Sequence, residues 1–88
     1  MRAPLRRLML DGRPYRWQAR VQRDPGRRVL RIRVWGSGKT GRALQVDLVQ
    51  PADDYDHPSA DDVRVLIARG VAAGWDPDAR GGTFVLHQ

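Results

Sequence analysis

Two segments flanking a Pro-Gly pair alternate apolar and polar residues, and they do so in matching phase about that pair. Tyr15–Gln22 reads YRWQARVQ and Val29–Trp35 reads VLRIRVW. Successive side chains of an extended strand point to opposite faces. The first segment therefore collects Tyr15, Trp17, Ala19 and Val21 on one face and Arg16, Gln18, Arg20 and Gln22 on the other. The second sets Leu30, Ile32 and Val34 against Val29, Arg31, Arg33 and Trp35. Between them lies Asp24-Pro25-Gly26-Arg27. Proline presets the first central position of a type II turn, and glycine supplies the positive φ that the second requires. With Pro25-Gly26 as the loop, Val21 faces Leu30, Ala19 faces Ile32 and Trp17 faces Val34. A one-residue slip would turn each of these side chains to the wrong side. The chain is thus committed to an antiparallel hairpin with an apolar face to cover and a basic face left open.

The same register sets Arg20 opposite Arg31 and Gln18 opposite Arg33. Like charges facing each other across a strand pair are destabilising. A third strand, Ala43–Val49, offers compensation. Leu44, Val46 and Leu48 give it a core face, Gln45 and Asp47 point outward, and a connecting loop over Gly36–Arg42 brings Asp47 opposite Arg31. A short leading strand at Leu8–Leu10 ends in the turn pair Asp11-Gly12, and Pro14 stands at the entrance of the first long strand.

After a polar, acidic loop over Gln50–Pro58 a helix is expected, with Ser59 as N-cap and Asp61 and Asp62 near the free N–H groups of its first turn. Val63, Leu66, Ile67, Gly70, Val71 and Gly74 follow the spacing of one packed stripe. Gly70 in a helix interior implies close approach to the sheet, and Gly74 followed by Asp76-Pro77 implies the helix end. Gly81-Gly82 forms a loop before a last strand, Thr83–His87, with Phe84 and Leu86 inward. The expected fold class is α+β: a small antiparallel sheet in the order β-β-β-α-β, with room for the extra N-terminal strand, and one helix packed on one face.

The tail segment VLIARGVAAGWDPDARGGTFVL (Val65–Leu86), together with Tyr15 and Trp17 on the first long strand, resembles small uncharacterised bacterial single-domain proteins in which a helix is followed by G-W-x-P, a glycine loop and F-x-L. The resemblance covers about the last third of the chain. It implies a fold of this kind and carries no activity.

Eighty-eight residues are expected to make one domain, with residues 1–6 flexible. There is no cysteine, which removes disulfides, thiolate metal sites and a cysteine nucleophile. The longest apolar run in MRAPLRRLML is Leu8–Leu10, too short for a signal-peptide core or a membrane span, so a soluble, cytoplasmic protein is expected. Net charge is +6, but residues 1–42 hold thirteen Arg/Lys against Asp11 and Asp24, whereas residues 43–88 hold three Arg against eight Asp. That split fits either a basic surface for an anionic partner or two patches that neutralise each other. Fifteen of the sixteen basic residues are Arg, all ten acids are Asp and Asn is missing, a bias that a GC-rich bacterial genome produces by codon usage alone. Where the arginines stand is therefore more informative than the choice of Arg over Lys.

No chemical motif is complete. Gly36-Ser37-Gly38-Lys39-Thr40 resembles the end of a phosphate-binding loop, but the first glycine of that pattern would fall at Arg33, and a strand follows where a helix is needed. Asp53, Asp54, Asp56, His57, Asp61 and Asp62 lack the spacing of a calcium loop, and His87 is remote from His57. Ser37, Thr40, Ser59 and Thr83 have no base in a recognisable arrangement. No enzyme activity, metal, cofactor, small-molecule ligand or membrane contact is expected.

Of the three tryptophans, Trp17 and Trp75 are expected to be packing residues. Trp35 shares the open face with the arginines, opposite Arg16, where a cation–π pair can form. The expected function is a small non-enzymatic binding module whose open face engages an anionic partner, most concretely DNA or RNA. Arg16, Arg20, Arg31 and Arg33 would make the contacts beside Trp35, with Lys39 and Arg42 reaching phosphates from the loop. The alternative is a protein-interaction or homo-oligomeric module (an adaptor, inhibitor or antitoxin-like partner) with an interface centred on Val29, Trp35 and Val49.

Overall fold

A computed structural model of the protein describes residues 4–36, 40–51 and 58–87, apart from the side chains of Asp24, Gln50 and Pro51. Strands β1 (Arg6–Leu10), β2 (Arg13–Asp24), β3 (Arg27–Trp35), β4 (Ala43–Pro51) and β5 (Thr83–Leu86) form one sheet in chain order, and helix α1 (Ala60–Ala73) lies between β4 and β5. The fold is α+β. The first four strands are antiparallel, and β5 joins β4 in parallel, so the sheet is mixed. The physical reason is the helix: a parallel neighbour needs a long crossover, which α1 supplies and a tight turn cannot.

Each antiparallel connection has local chemistry that fixes it. Asp11 and Gly12 both have positive φ, 51° and 75°, the backbone of a type I′ hairpin turn, and Leu10 pairs with Arg13 around them. This makes the leading strand longer than its apolar run, starting at Arg6, whose guanidinium lies 5.6 Å from the Trp17 ring centroid. Gly26 has φ 80°, and the β2–β3 register pairs Trp17 with Val34, Ala19 with Ile32, and Val21 with Leu30, as turn and alternation require. The β3–β4 register brings Asp47 opposite Arg31. Pro14 lies beyond the end of β3, where the β2–β3 ladder asks nothing of its missing N–H.

The helix is bounded as the residues dictate. Ser59 Oγ accepts from the Asp62 N–H at 3.1 Å and Asp62 Oδ2 accepts from the Ser59 N–H at 2.9 Å, a reciprocal capping box. At the other end Gly74 takes φ 115°, and the Trp75 N–H returns to the Gly70 carbonyl at 2.8 Å. Val63, Leu66, Ile67 and Gly70 meet Leu8, Tyr15, Trp17, Leu30, Ile32, Val34, Leu44 and Val46 in the core. A Cβ built on Gly70 would sit 2.9 Å from both Leu44 methyls, so glycine sets how closely the helix approaches β4. Trp75 closes the core beside Tyr15, at a ring separation of 6.1 Å, and its indole N–H donates to the Arg42 carbonyl at 2.9 Å.

Two residues assigned to the apolar face are less covered than alternation suggests. Val71 is 49% exposed, because it lies a helical step of ~100° round from Gly70, at the rim of the stripe. Val21 is 39% exposed: twelve residues of β2 extend ~40 Å, whereas the fourteen-residue helix extends ~21 Å and covers about half of that length. No helix among the described residues is long and apolar enough to cross a membrane.

Candidate anion-binding face

With α1 on one side of the sheet, the other side is left uncovered by the helix, and its side chains line up in rows across the strands. Arg7, Arg16 and Trp35 form one row, Gln18, Arg33, Gln45 and Val85 the next, then Arg20, Arg31 and Asp47, then Gln22, Val29 and Val49. Asp47 is the one carboxylate among the described strand side chains on this face. Arg7, Arg16 and Arg20 are exposed and have no carboxylate partner among the described residues.

The two inner arginines are held differently. Arg31 donates through Nε to Asp47 Oδ1 at 2.9 Å and through Nη2 to Asp47 Oδ2 at 3.1 Å, a bidentate fork. These hydrogen bonds push the Arg31 pKa above its already high ordinary value, so its charge is permanent. Arg33 donates through Nη2 to Thr83 Oγ1 at 3.2 Å, and its guanidinium lies 5.5 Å from the Trp35 ring centroid. Arg16 is the residue opposite Trp35, yet the cation on the ring is Arg33, two residues back on the same strand. Strand alternation puts such i, i−2 neighbours on one face, and the long arginine stem reaches along it.

Between β2 and β3 these side chains enclose a shallow depression of ≈ 140 Å³ lined by Gln18, Arg20, Gln22, Arg31 and Arg33. The structure therefore brings Arg16, Arg20, Arg31, Arg33 and Trp35 onto one surface. Arg42 belongs elsewhere: its Nε donates to the Gly81 carbonyl at 3.1 Å, its N–H to the Ala79 carbonyl at 2.7 Å, and its own carbonyl receives the Trp75 indole. It ties the 79–82 loop to the start of β4. Lys39, with Ser37 and Gly38, lies outside the described residues, as do Asp53, Asp54, Asp56, His57 and residues 1–3 of the N-terminal segment. Thr40 leads through Gly41 and Arg42 into β4, so no helix follows the Gly-Lys-Thr run. Of the other acids, Asp62 is spent in the capping box and Asp61 pairs with Arg64 at 2.6 Å.

Three contributors lie beyond the residues singled out from sequence. Gln18 and Gln22 alternate onto the open face by the same rule as the arginines, and their amides line the depression. Thr83 had no signal, because its place beside Arg33 depends on the parallel docking of β5 on β4. The arrangement also revises the geometry of the apolar residues. Trp35 stands six residues, ~20 Å, from Val29, so Trp35 and the Val29–Val49 pair flank a cationic centre and do not form a shared apolar one. Comparison of the chain with protein-family models, with curated proteins and with solved structures gives no match.

Proposed function

We propose that the protein is a non-enzymatic binding module whose open sheet face holds a polyanion, most concretely DNA or RNA. The observation that carries this reading is the cationic centre itself: Arg16, Arg20, Arg31 and Arg33 on neighbouring rows, against Asp47 as the one carboxylate among the described strand side chains on that face. A surface meant for water alone gains nothing from facing Arg20 with Arg31, whereas a phosphate backbone neutralises both. Trp35, steadied by Arg33 at the end of the array, offers an aromatic edge against which a base can pack. Glutamine amides between the arginines supply donors and acceptors for phosphate or base edges.

The test is binding of a fluorescently labelled oligonucleotide, followed by anisotropy at low salt. Replacing Arg16 and Arg20 with Glu leaves the fold intact, since both are exposed and unpaired among the described residues, and abolishes most of the binding. Absence of binding by the native chain at low salt, or equal binding by the double variant, would sink the reading.

A second reading, a protein partner or a second copy, is favoured by one observation: Val49 and Val85 are 60% and 43% exposed on the same face. It predicts a concentration-dependent rise in mass by light scattering, which Val49→Asp abolishes.

A further inference from the structure

The depression between β2 and β3 is chemically narrower than a basic surface. Among the described residues three arginines and two glutamines line it, and no aspartate does. Arg20 and Arg31 face each other in register, and Asp47 answers Arg31 only, through Nε and Nη2. The Nη1 donors of Arg31 are left over from that fork. Arg33 is fixed by Thr83 Oγ1 and by the Trp35 ring, yet its Nε is buried with no hydrogen-bond acceptor. A buried donor without an acceptor costs free energy until something accepts from it. The site therefore has two incompletely answered features: an in-register arginine pair that shares one carboxylate, and a guanidinium Nε–H without an acceptor on the third arginine lining the same concavity. One anion relieves both.

We propose that this depression binds a single phosphoryl group, with Arg20, Arg31 and Arg33 as its cationic ligands and Asp47 and Thr83 as positioning residues. This rests on the reading of the open face as a polyanion surface, and it gives that surface one fixed contact. Phosphoryl chemistry fits better than a carboxylate. A tetrahedral group presents oxygens in several directions to guanidiniums arriving from two strands, whereas a carboxylate offers one planar pair. Arg31 and Arg33 are also held in place, by Asp47 and by Thr83 with Trp35, so little of their side-chain freedom is lost on binding.

Ligand binding and fold stability are then linked with opposite signs at Arg20. Without anion, Arg20→Gln removes the repulsion and raises the unfolding midpoint by about 1–5 °C. With inorganic phosphate at five times its dissociation constant, the native chain gains about 4–8 °C and Arg20→Gln gains much less. General salting by phosphate acts on both proteins equally, so the difference between them reports the site. A direct readout accompanies it. The Arg33 Nε–H resonance of ¹⁵N-labelled protein shifts saturably with phosphate, and Trp35 fluorescence changes while the buried Trp17 and Trp75 do not report.

The experiment is thermal unfolding of the native chain and Arg20→Gln against inorganic phosphate, a nucleoside monophosphate and a twelve-nucleotide single strand, with the Arg33 Nε–H signal monitored. Saturable stabilisation by all three that Arg20→Gln reduces supports the site and gives it a nucleic-acid source. Stabilisation by phosphate and the mononucleotide without oligonucleotide binding also supports the site, while the polynucleotide reading under Proposed function falls. Oligonucleotide binding with equal phosphate response in both proteins and an unmoved Arg33 Nε–H overturns the phosphoryl site and leaves the broader reading standing.

Discussion

Single residues separate what is structural in this protein from what is free to act. Arg42 and Arg13 are basic like their neighbours in sequence, but Arg42 is tied to the 79–82 loop and Arg13 to Asp78. Arg16 and Arg20 have no such duties among the described residues. That division was invisible in a composition where nearly every cation is arginine. It depends on which carbonyl or carboxylate the fold happens to bring near. The Arg33–Trp35 stack was half legible: alternation put both on one face, but the choice between Arg33 and Arg16 as the ring's cation is a matter of rotamers. Asp47 raises the Arg31 pKa, so wherever the Asp47 carboxylate is ionised the Arg31 charge contributes in full below the unfolded-state arginine pKa and fades only as pH rises through the still higher folded value. Binding of a phosphodiester strand to these arginines is accordingly flat between about pH 6 and 9, measurable by anisotropy across that range. Gly70→Ala tests the core at the same scale. The new methyl meets both Leu44 methyls in a fully buried side chain, a clash of about 1–3 kcal/mol that a helix-propensity gain of about 1 kcal/mol offsets only in part. Urea unfolding should show the variant less stable than the native chain.

Among the elements, the hairpin of β2 and β3 was the most legible, because a Pro-Gly turn and two alternating runs agree on one register. β4 followed from the same logic, since only one register buries Leu44, Val46 and Leu48 and also gives Arg31 its carboxylate. The helix announced both ends through Ser59 and Gly74. Removing the first signal, by Ser59→Ala, is expected to cost about 1 kcal/mol and to lower the thermal midpoint by several degrees. β5 was legible as a strand but not as a parallel one. Four residues, TFVL, show which side faces the core and carry no record of which neighbour they join or in which direction. The reach of the helix over the sheet was also hidden, because lengths along β2 and α1 have to be compared in ångströms before Val21 emerges as exposed.

For the whole molecule, the charge split between the chain's halves becomes a spatial fact only in part. Arg31–Asp47 and Arg13–Asp78 join the basic half to the acidic half, while the open face keeps its surplus of cations. If that surplus engages three or four phosphates, the logarithm of the binding constant for a single strand falls with the logarithm of salt at a slope of about −2 to −3. Each of Arg16 and Arg20 lost should reduce the slope by about one. Side-chain NMR reads the open face of the sheet directly. The decisive measurement is titration of ¹⁵N-labelled protein with a single-stranded oligonucleotide at low salt, following the Gln18, Gln22 and Gln45 amides, the Arg Nε–H groups and the Trp indole N–H groups. Shifts at Gln18, Gln22, Arg20, Arg33 and Trp35, with Arg64 and Arg69 on the helix unmoved, are the predicted result. Shifts concentrated on the helix, or none at all, would contradict it.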